Sequence, residues 1–356
     1  MTRPGEPMRK KVVVVDDSEA IRRLVGHALE ADPRLEVVGY AGDAYAAREL
    51  VRQRSPDVLV LDVEMPRMSG LDFLERVMRL RPMPVIMFSS VTQKGSDEAI
   101  RALSLGAVDC IPKPRAGIST STLADLADRV QSAAAANVRP RAQPTPARPA
   151  PQVSMHAKVS RNIVLVGAST GGVAAVETFL RGLPEDMPPV VVAQHMPESY
   201  LDSFAKRLDS ILANSVSLAR DGTELRAGHI YIAPGGICHT GVVSTESGFR
   251  ATDIEGPRHN GHCPSIDKLF DSAVRYADRV TAVILTGLGR DGARAMKTLR
   301  DGGAFCIGQD EATSVVYGMP RAAKELGALD HELPLGEIAA AVARAQARLP
   351  TVAGVR

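Results

Sequence analysis

Ser169 lies in Gly167-Ala168-Ser169-Thr170-Gly171-Gly172, a G-x-S-x-G turn directly after the apolar run Ile163 to Val166. Between a strand and a helix such a turn exposes a serine at a sheet edge, and its glycines permit a tight backbone and close approach of a substrate. A serine hydroxyl is a weak nucleophile until a base takes its proton and a carboxylate orients the base. His195 follows the run Val190 to Ala193 and Asp291 follows the run Val283 to Leu285, so all three groups stand just past apolar runs. A second polar group occupies equivalent places nearer the N-terminus. Asp16 and Asp17 follow Val12 to Val15, Asp62 closes Val58 to Leu61, Ser89 follows Val85 to Phe88, and Lys113 follows Val108 to Ile111. Three carboxylates crowded at one edge repel one another unless a divalent cation neutralises them, and hard oxygen ligands suit Mg2+. That cation would hold a phosphoryl group against Asp62, with Lys113 offering charge and Ser89 a hydroxyl donor to its oxygens.

The elements that must position these residues follow from hydrophobic periodicity. At 356 residues the chain suits two domains, each large enough to bury a core. From Lys11 to about Val130, short apolar runs alternate with stretches such as Ile21, Leu24, Val25, Ala28 and Leu29 at helical spacing. This predicts a flavodoxin-like, five-stranded, parallel, doubly wound α/β sheet, whose ligands bind at the carboxyl ends of its strands. Between Ser132 and Lys158 the pattern dissolves into Ala, Pro, Arg and Gln, and Pro140, Pro144, Pro146, Pro149 and Pro151 interrupt any helix or strand. Alternation then resumes, with strands expected at Ile163 to Val166, Val190 to Ala193, His229 to Ile232, Val283 to Leu285 and Ala304 to Ile307. Helices are expected at Val173 to Leu180 and Ser265 to Ala277. The expected organisation is a first domain over 9–131, a linker over 132–158 and a second doubly wound α/β domain over 159–350.

Taken singly, these residues have plainer readings. Ser169 could cap a helix or line a phosphate cradle, although the Lys-Ser/Thr ending of a Walker loop is missing. His195 could be a loop histidine, and Asp16, Asp17, Asp62 and Asp291 could cap helices or bound turns. Their joint placement at run ends is what separates the functional reading from these. The order Ser, His, Asp differs from the Ser, Asp, His order of α/β-hydrolases, so that fold is not expected.

Residues 11 to 130 resemble response-regulator receiver domains. The resemblance implies that Asp62 is the phosphoacceptor, that Asp16, Asp17, Asp62 and the carbonyl of Glu64 bind the metal, and that Ser89 and Lys113 form the switch. Receivers commonly carry an aromatic residue three positions before the lysine, where this chain has Cys110, so an aromatic rotamer switch is not expected. Residues from about Asn162 to Leu349 resemble the catalytic domain of chemotaxis protein-glutamate methylesterases. The matching stretches are Gly167 to Gly172, Gln194 to Pro197, Tyr231 to Gly235, Pro264 to Asp267, Thr286 to Gly292, Gln309 to Ala312 and Tyr317 to Pro320. Ser169, His195 and Asp291 then match nucleophile, general base and orienting acid, with the main-chain N–H groups of Leu288 and Thr170 as oxyanion donors. Leu288 stands where the family often has methionine, a change that a main-chain role tolerates. The implied activity is hydrolysis of glutamyl methyl esters, and deamidation of glutamines, on chemoreceptors. A histidine kinase would be the phosphoryl donor, and no organic cofactor is needed for hydrolysis.

Three rival readings compete with this one. Gly287-x-Gly289-x-x-Gly292 with Asp310 downstream has the spacing of a dinucleotide fingerprint, but Asp291 inside that loop would repel a pyrophosphate. His259, His262, Cys263, Cys238 and His239 show no recognised metal-ligand spacing. A DNA-binding output lacks a basic recognition helix, because Lys and Arg are interspersed with Asp and Glu. A net charge of +2, 45% hydrophobic and 24% charged residues imply neither nucleic acid nor membrane as partner. Four scattered cysteines and an N-terminus without a long apolar stretch suggest a cytoplasmic protein. The unphosphorylated receiver is expected to obstruct the groove lined by Ser169, His195 and Asp291, and a phosphoryl group on Asp62 to relieve that obstruction.

Overall fold

The computed structural model describes residues 8–90, 92–113, 126–138 and 160–348. The chain forms two compact units, Met1–Gln143 and Pro144–Arg356. In the first, β1 (Lys10–Val15), β2 (Leu35–Ala41), β3 (Val58–Asp62), β4 (Val85–Ser89) and β5 (Asp109–Pro112) make a parallel sheet of order β2-β1-β3-β4-β5. Helices α1 (Glu19–Glu30), α2 (Ala44–Arg54), α3 (Gly70–Leu80), α4 (Gln93–Leu105) and α5 (Leu126–Ala134) connect or follow the strands. The central strands are continuous Val/Ile/Leu runs because a parallel sheet is covered on both faces; β3 and β4 are buried at every residue. The expected linker start at 132 falls inside α5. Leu126, Val130 and Ala133 recur at helical spacing and are buried, so apolar packing extends the helix past the compositional change. Most of the expected linker, residues 139–158, and Pro114 lie outside the described residues.

The second unit has a seven-stranded sheet of order β15-β14-β13-β6-β7-β10-β8. Its strands are β6 (Ile163–Ala168), β7 (Val190–Gln194), β8 (Ser215–Leu218), β10 (His229–Ile232), β13 (Val280–Ile284), β14 (Phe305–Gln309) and β15 (His331–Leu333). Its helices are α6 (Gly172–Arg181), α7 (Glu198–Ile211), α8 (Ile266–Ser272), α9 (Ala293–Asp301), α10 (Met319–Glu325) and α11 (Leu335–Arg348). The chain leaves β6 for β7 on one side and later returns to β13 on the other, which makes the carboxyl end of β6 a topological switch point, the place where open α/β sheets bind their ligands.

Two local expectations are corrected. The helix expected over Ser265 to Ala277 ends at Ser272, and a 3-10 turn follows over Val274–Arg279 in which Tyr276 is non-helical (φ −124°, ψ 23°). A small antiparallel sheet of β9 (Glu224–Leu225), β11 (His239–Thr245) and β12 (Gly248–Ile254) was not expected at all. Its Gly, Ser and Thr content hides the alternation that marks a strand. It matters to the site because β11 holds α8: Ser272 Oγ accepts from the N–H of Val242 at 2.9 Å. Among the described residues, no helix is long and apolar enough to cross a membrane.

Candidate active site

Ser169 and His195 follow neighbouring strand ends. Ala168 and Gln194 are the last paired residues of β6 and β7, and the His195 N–H donates to the Ala168 carbonyl at 3.0 Å. On the other side of β6, the Ser169 N–H donates to the Thr286 carbonyl at 3.0 Å. Gln194 Nε2 donates to the Ser169 carbonyl at 2.7 Å, so the serine's main chain is tied to both neighbours. A Cβ at Gly287 would lie 2.7 Å from Ser169 Cβ and overlap Met319 Sδ, so only glycine permits this approach. Gly171 (φ 75°), not Ser169, is the N-cap of α6, and no side chain caps that helix. The plain reading of Ser169 as a capping residue therefore does not hold.

His195 Nε2 lies 2.9 Å from Asp291 Oδ2, with the two side chains 4% and 2% exposed. Asp291 is the hub of the site. Its Oδ2 also accepts from the Ile266 N–H at 2.7 Å. Its Oδ1 accepts from Ser265 Oγ at 3.1 Å, the Asp267 N–H at 3.3 Å and Asn260 Nδ2 at 3.4 Å. Burial works against its charge, yet the hydrogen bond and charge of His195, helped by Ile266 and Ser265, hold the carboxyl well below the usual range. Neighbouring Asp267 is pushed the other way, by burial and by the charge of Asp291. With Nε2 donating to the carboxylate, a neutral imidazole has its lone pair on Nδ1. His195 Nδ1 is buried without a hydrogen-bond partner among the described residues, so Ser169 Oγ is not bonded to it in this conformation. Such bonds are often loose in substrate-free enzymes and tighten with substrate in place.

The loops carrying Thr170 and Leu288 are braced. Thr286 Oγ1 donates to the carbonyl of Thr170 at 3.0 Å, and the Gly287 carbonyl accepts from the N–H groups of Gly318 and Met319 at 3.1 and 2.9 Å. Thr170 follows Ser169 and Leu288 follows Gly287, so both flank the serine.

Sequence reasoning missed Gln194, Thr286, Ser265 and Asn260 as supports of the site. Their roles depend on where α8 and neighbouring strand ends come to rest, although Asn260-Gly261 is a tight-turn signal in the sequence. The considered His/Cys metal set does not gather. Cys263 Sγ donates to the Cys238 carbonyl at 3.1 Å, and the buried His239 ring bonds to the Ser265 N–H at 3.1 Å and the Pro257 carbonyl at 3.0 Å. His262 instead stacks on His195. In the considered dinucleotide loop, the Asp291 carboxylate is committed to His195 and α8.

In the first unit the edge of the sheet gathers the other polar group. Carboxylate oxygens of Asp16, Asp17 and Asp62 lie within 4.8 Å of one another. Lys113 Nζ lies 2.8 Å from Asp16 Oδ2 and 2.7 Å from Asp62 Oδ2. Burial, opposed by the Lys113 hydrogen bond and reinforced by the charge of Asp16, pushes Asp62 up to about 6. Burial lowers Lys113, but hydrogen bonds to Asp16 and Asp62 outweigh it and raise the ammonium above its ordinary value. The Glu64 N–H donates to Asp62 Oδ1 at 3.2 Å, and Ser89 Oγ donates to the Gly95 carbonyl at 3.0 Å. Cys110 is buried, as a small side chain in β5.

Residues 164–342 match the CheB methylesterase family, and residues 12–122 match the response regulator receiver domain. The protein-glutamate methylesterase/protein-glutamine glutaminase 1 of Caulobacter vibrioides is 47% identical over 330 residues, 92% of this chain and 95% of its own. The protein-glutamate methylesterase/protein-glutamine glutaminase of Agrobacterium fabrum is 47% identical over 332 residues, 92% of this chain and 94% of its own. Among solved structures, the Thermotoga maritima CheB methylesterase catalytic domain is 36% identical with a TM-score of 0.50, covering 52% of this chain and 100% of that one. The chain, a receiver followed in sequence by a parallel sheet with Ser169, His195 and Asp291 past its central strands, is thus matched along nearly its whole length, and it belongs to the CheB methylesterase family.

Proposed function

We propose that this chain is a phosphorylation-controlled protein-glutamate methylesterase and protein-glutamine glutaminase acting on chemoreceptors, with Ser169 as nucleophile, His195 as general base and Asp291 as orienting acid. The observation that carries this reading is the buried His195–Asp291 pair beside Ser169 at the switch point. Ser169 Oγ attacks the side-chain carbonyl of a glutamyl methyl ester while His195 Nδ1 takes its proton. The resulting imidazolium lies against the Asp291 carboxylate, which stabilises it. The N–H groups of Leu288 and Thr170 donate to the oxyanion. Collapse expels methoxide, which leaves as methanol with the proton from His195, and water then releases the glutamate. A primary amide presents the same carbonyl and releases ammonia.

In the receiver, Asp62 accepts a phosphoryl group from a histidine kinase, Lys113 meets its charge and Ser89 turns its hydroxyl to it. Asp16, Asp17, Asp62 and the carbonyl of Glu64 would hold Mg2+, a fit supported by clustered carboxylate oxygens, a donor set for a hard cation. Mg2+ there would supply positive charge to the transferring phosphoryl group. The reading carries with it a cytoplasmic protein and a domain plan close to 9–131, 132–158 and 159–350, the first boundary moved past Ala134 by α5. The test is methanol release from methylated receptor membranes. The wild-type chain should release methanol and Ser169→Ala should not; a Ser169→Ala protein with full release would overturn the assignment.

A further inference from the structure

One four-residue turn touches three members of the catalytic group's surroundings. His259 and His262 form an antiparallel bridge, with N–H to carbonyl distances of 3.0 and 2.9 Å. Asn260 (φ 51°) and Gly261 (φ 82°) both lie in the left-handed region, the backbone of a two-residue type I′ turn for which Asn-Gly is the favoured pair. From this tip the His262 ring lies flat on the His195 ring, centroids 3.7 Å apart and planes 9° from parallel. Asn260 Nδ2 reaches Asp291 Oδ1 at 3.4 Å, and His259 Nε2 stands 3.4 Å from Asp267 Oδ2. Three residues further on, Ser265 caps α8 and donates to Asp291.

An imidazole bonded to a carboxylate through one nitrogen still rotates about that bond. The Asp291 contact fixes where His195 Nε2 points, but it leaves the plane of the ring, and so the line along which Nδ1 meets Ser169, undetermined. A second flat ring at van der Waals distance removes that freedom. We infer that the His259–His262 turn positions the catalytic pair, with His262 setting the plane of the His195 imidazole. His262 acts here through His195 and is a positioning residue. The inference rests on the assignment of His195 as general base, and it predicts a loss in the chemical step and not in substrate binding.

The full chain carrying His262→Ala, His262→Leu or His262→Phe, assayed for methanol release from methylated receptor membranes, tests it. Leucine fills volume without planarity, and phenylalanine keeps a flat ring without nitrogens. We expect kcat to fall about 10- to 100-fold in His262→Ala and His262→Leu, with KM within about twofold of wild type. His262→Phe should recover kcat to within about threefold, since stacking needs no ring nitrogen. Melting temperatures of the Leu and Phe variants separate loss of fold from loss of alignment. Equal rates for the Leu and Phe variants, or a wild-type kcat in His262→Ala, would overturn the inference. Ser169→Ala and His195→Gln in the same assay keep the two questions apart. If both are silent while the His262 series is at the wild-type rate, only the positioning role fails; if both are fully active, the hydrolase assignment itself fails.

Discussion

At the scale of single residues the chemistry turns on Asp291, a buried anion surrounded by donors. An asparagine there would be nearly isosteric, but its NH2 would replace one carboxylate oxygen and face groups that already donate, the Ile266 N–H and His195 Nε2 on one side or the Ser265 hydroxyl and the Asp267 N–H on the other. It would also leave the imidazolium formed in the reaction without a countercharge. We therefore expect Asp291→Asn to lower kcat/KM by about 10³- to 10⁴-fold, the scale seen when an orienting carboxylate is replaced in a serine hydrolase. Its folded pKa is depressed below the ordinary 3.8. The sign follows: the carboxylate's stabilisation is present in full above that unfolded value and is lost as the pH falls through the folded one. Thermal melts should show Asp291→Asn less stable than wild type near about pH 7, with the gap closing only under strong acid. A gap that closed already near pH 6 would mean that the carboxylate is not held down. Ser169, His195 and Asp291 stood out in the sequence as candidates because each lies in the loop that follows an apolar run, and in a parallel sheet those loops share one edge. Asn260 and Ser265 were not, because nothing local says which carboxylate their donors will meet.

At the scale of elements, α8 is the part that converts a fold into a site. Ser265 Oγ accepts from the Lys268 N–H as its N-cap and donates to Asp291, so one hydroxyl serves helix and active site together. Replacing it separates the two roles. Ser265→Ala should lose about 1 kcal/mol of stability, a fall of about 2–4 °C in Tm for a domain of this size, along with a donor to Asp291. Ser265→Gly should lose only a few tenths of a kcal/mol at the cap, yet the same hydroxyl donor to Asp291. Calorimetry and methanol release on the same preparations check this, with stability ordered Gly above Ala and activity lowered equally in both. Activity that tracked stability through both variants would reduce Ser265 to a cap. What holds α8 is the antiparallel sheet of β9, β11 and β12, and this was the part of the fold hidden in the sequence. The central parallel strands announced themselves as runs rich in Val, Ile and Leu because both faces are covered, whereas the partly exposed edge strands Ser215–Leu218 and His331–Leu333 were also not foreseen. In His239–Thr245 and Gly248–Ile254, Gly, Ser and Thr break the apolar pattern on which such a reading depends. Likewise α5 overran the expected linker, because burial of Val130 and Ala133 outweighs composition at its end.

At the scale of the whole molecule, two units with separate cores carry two chemistries, and regulation requires that a change of charge in one alter the rate in the other. In the first unit Lys113 is shared between Asp16 and Asp62, and the Ser89 hydroxyl is spent on the Gly95 carbonyl next to the N-terminus of α4. A phosphoryl group on Asp62 brings close to two negative charges and new acceptors, which compete for both donors and release the carbonyl that Ser89 now holds. A small-molecule phosphodonor with Mg2+ should thus raise methanol release by the full-length chain, by a factor within the usual range of coupling, about 5 to 150. Asp62→Asn should abolish the rise while keeping the resting rate. The sign of control is separable from its existence. If the resting receiver obstructs the Ser169 groove, residues 159–356 alone should outpace the resting chain, since deletion removes the obstruction as surely as phosphorylation does. If the fragment instead matches the resting chain while the phosphodonor still accelerates the full-length protein, the receiver contributes something positive when phosphorylated, and obstruction is the wrong account of the coupling.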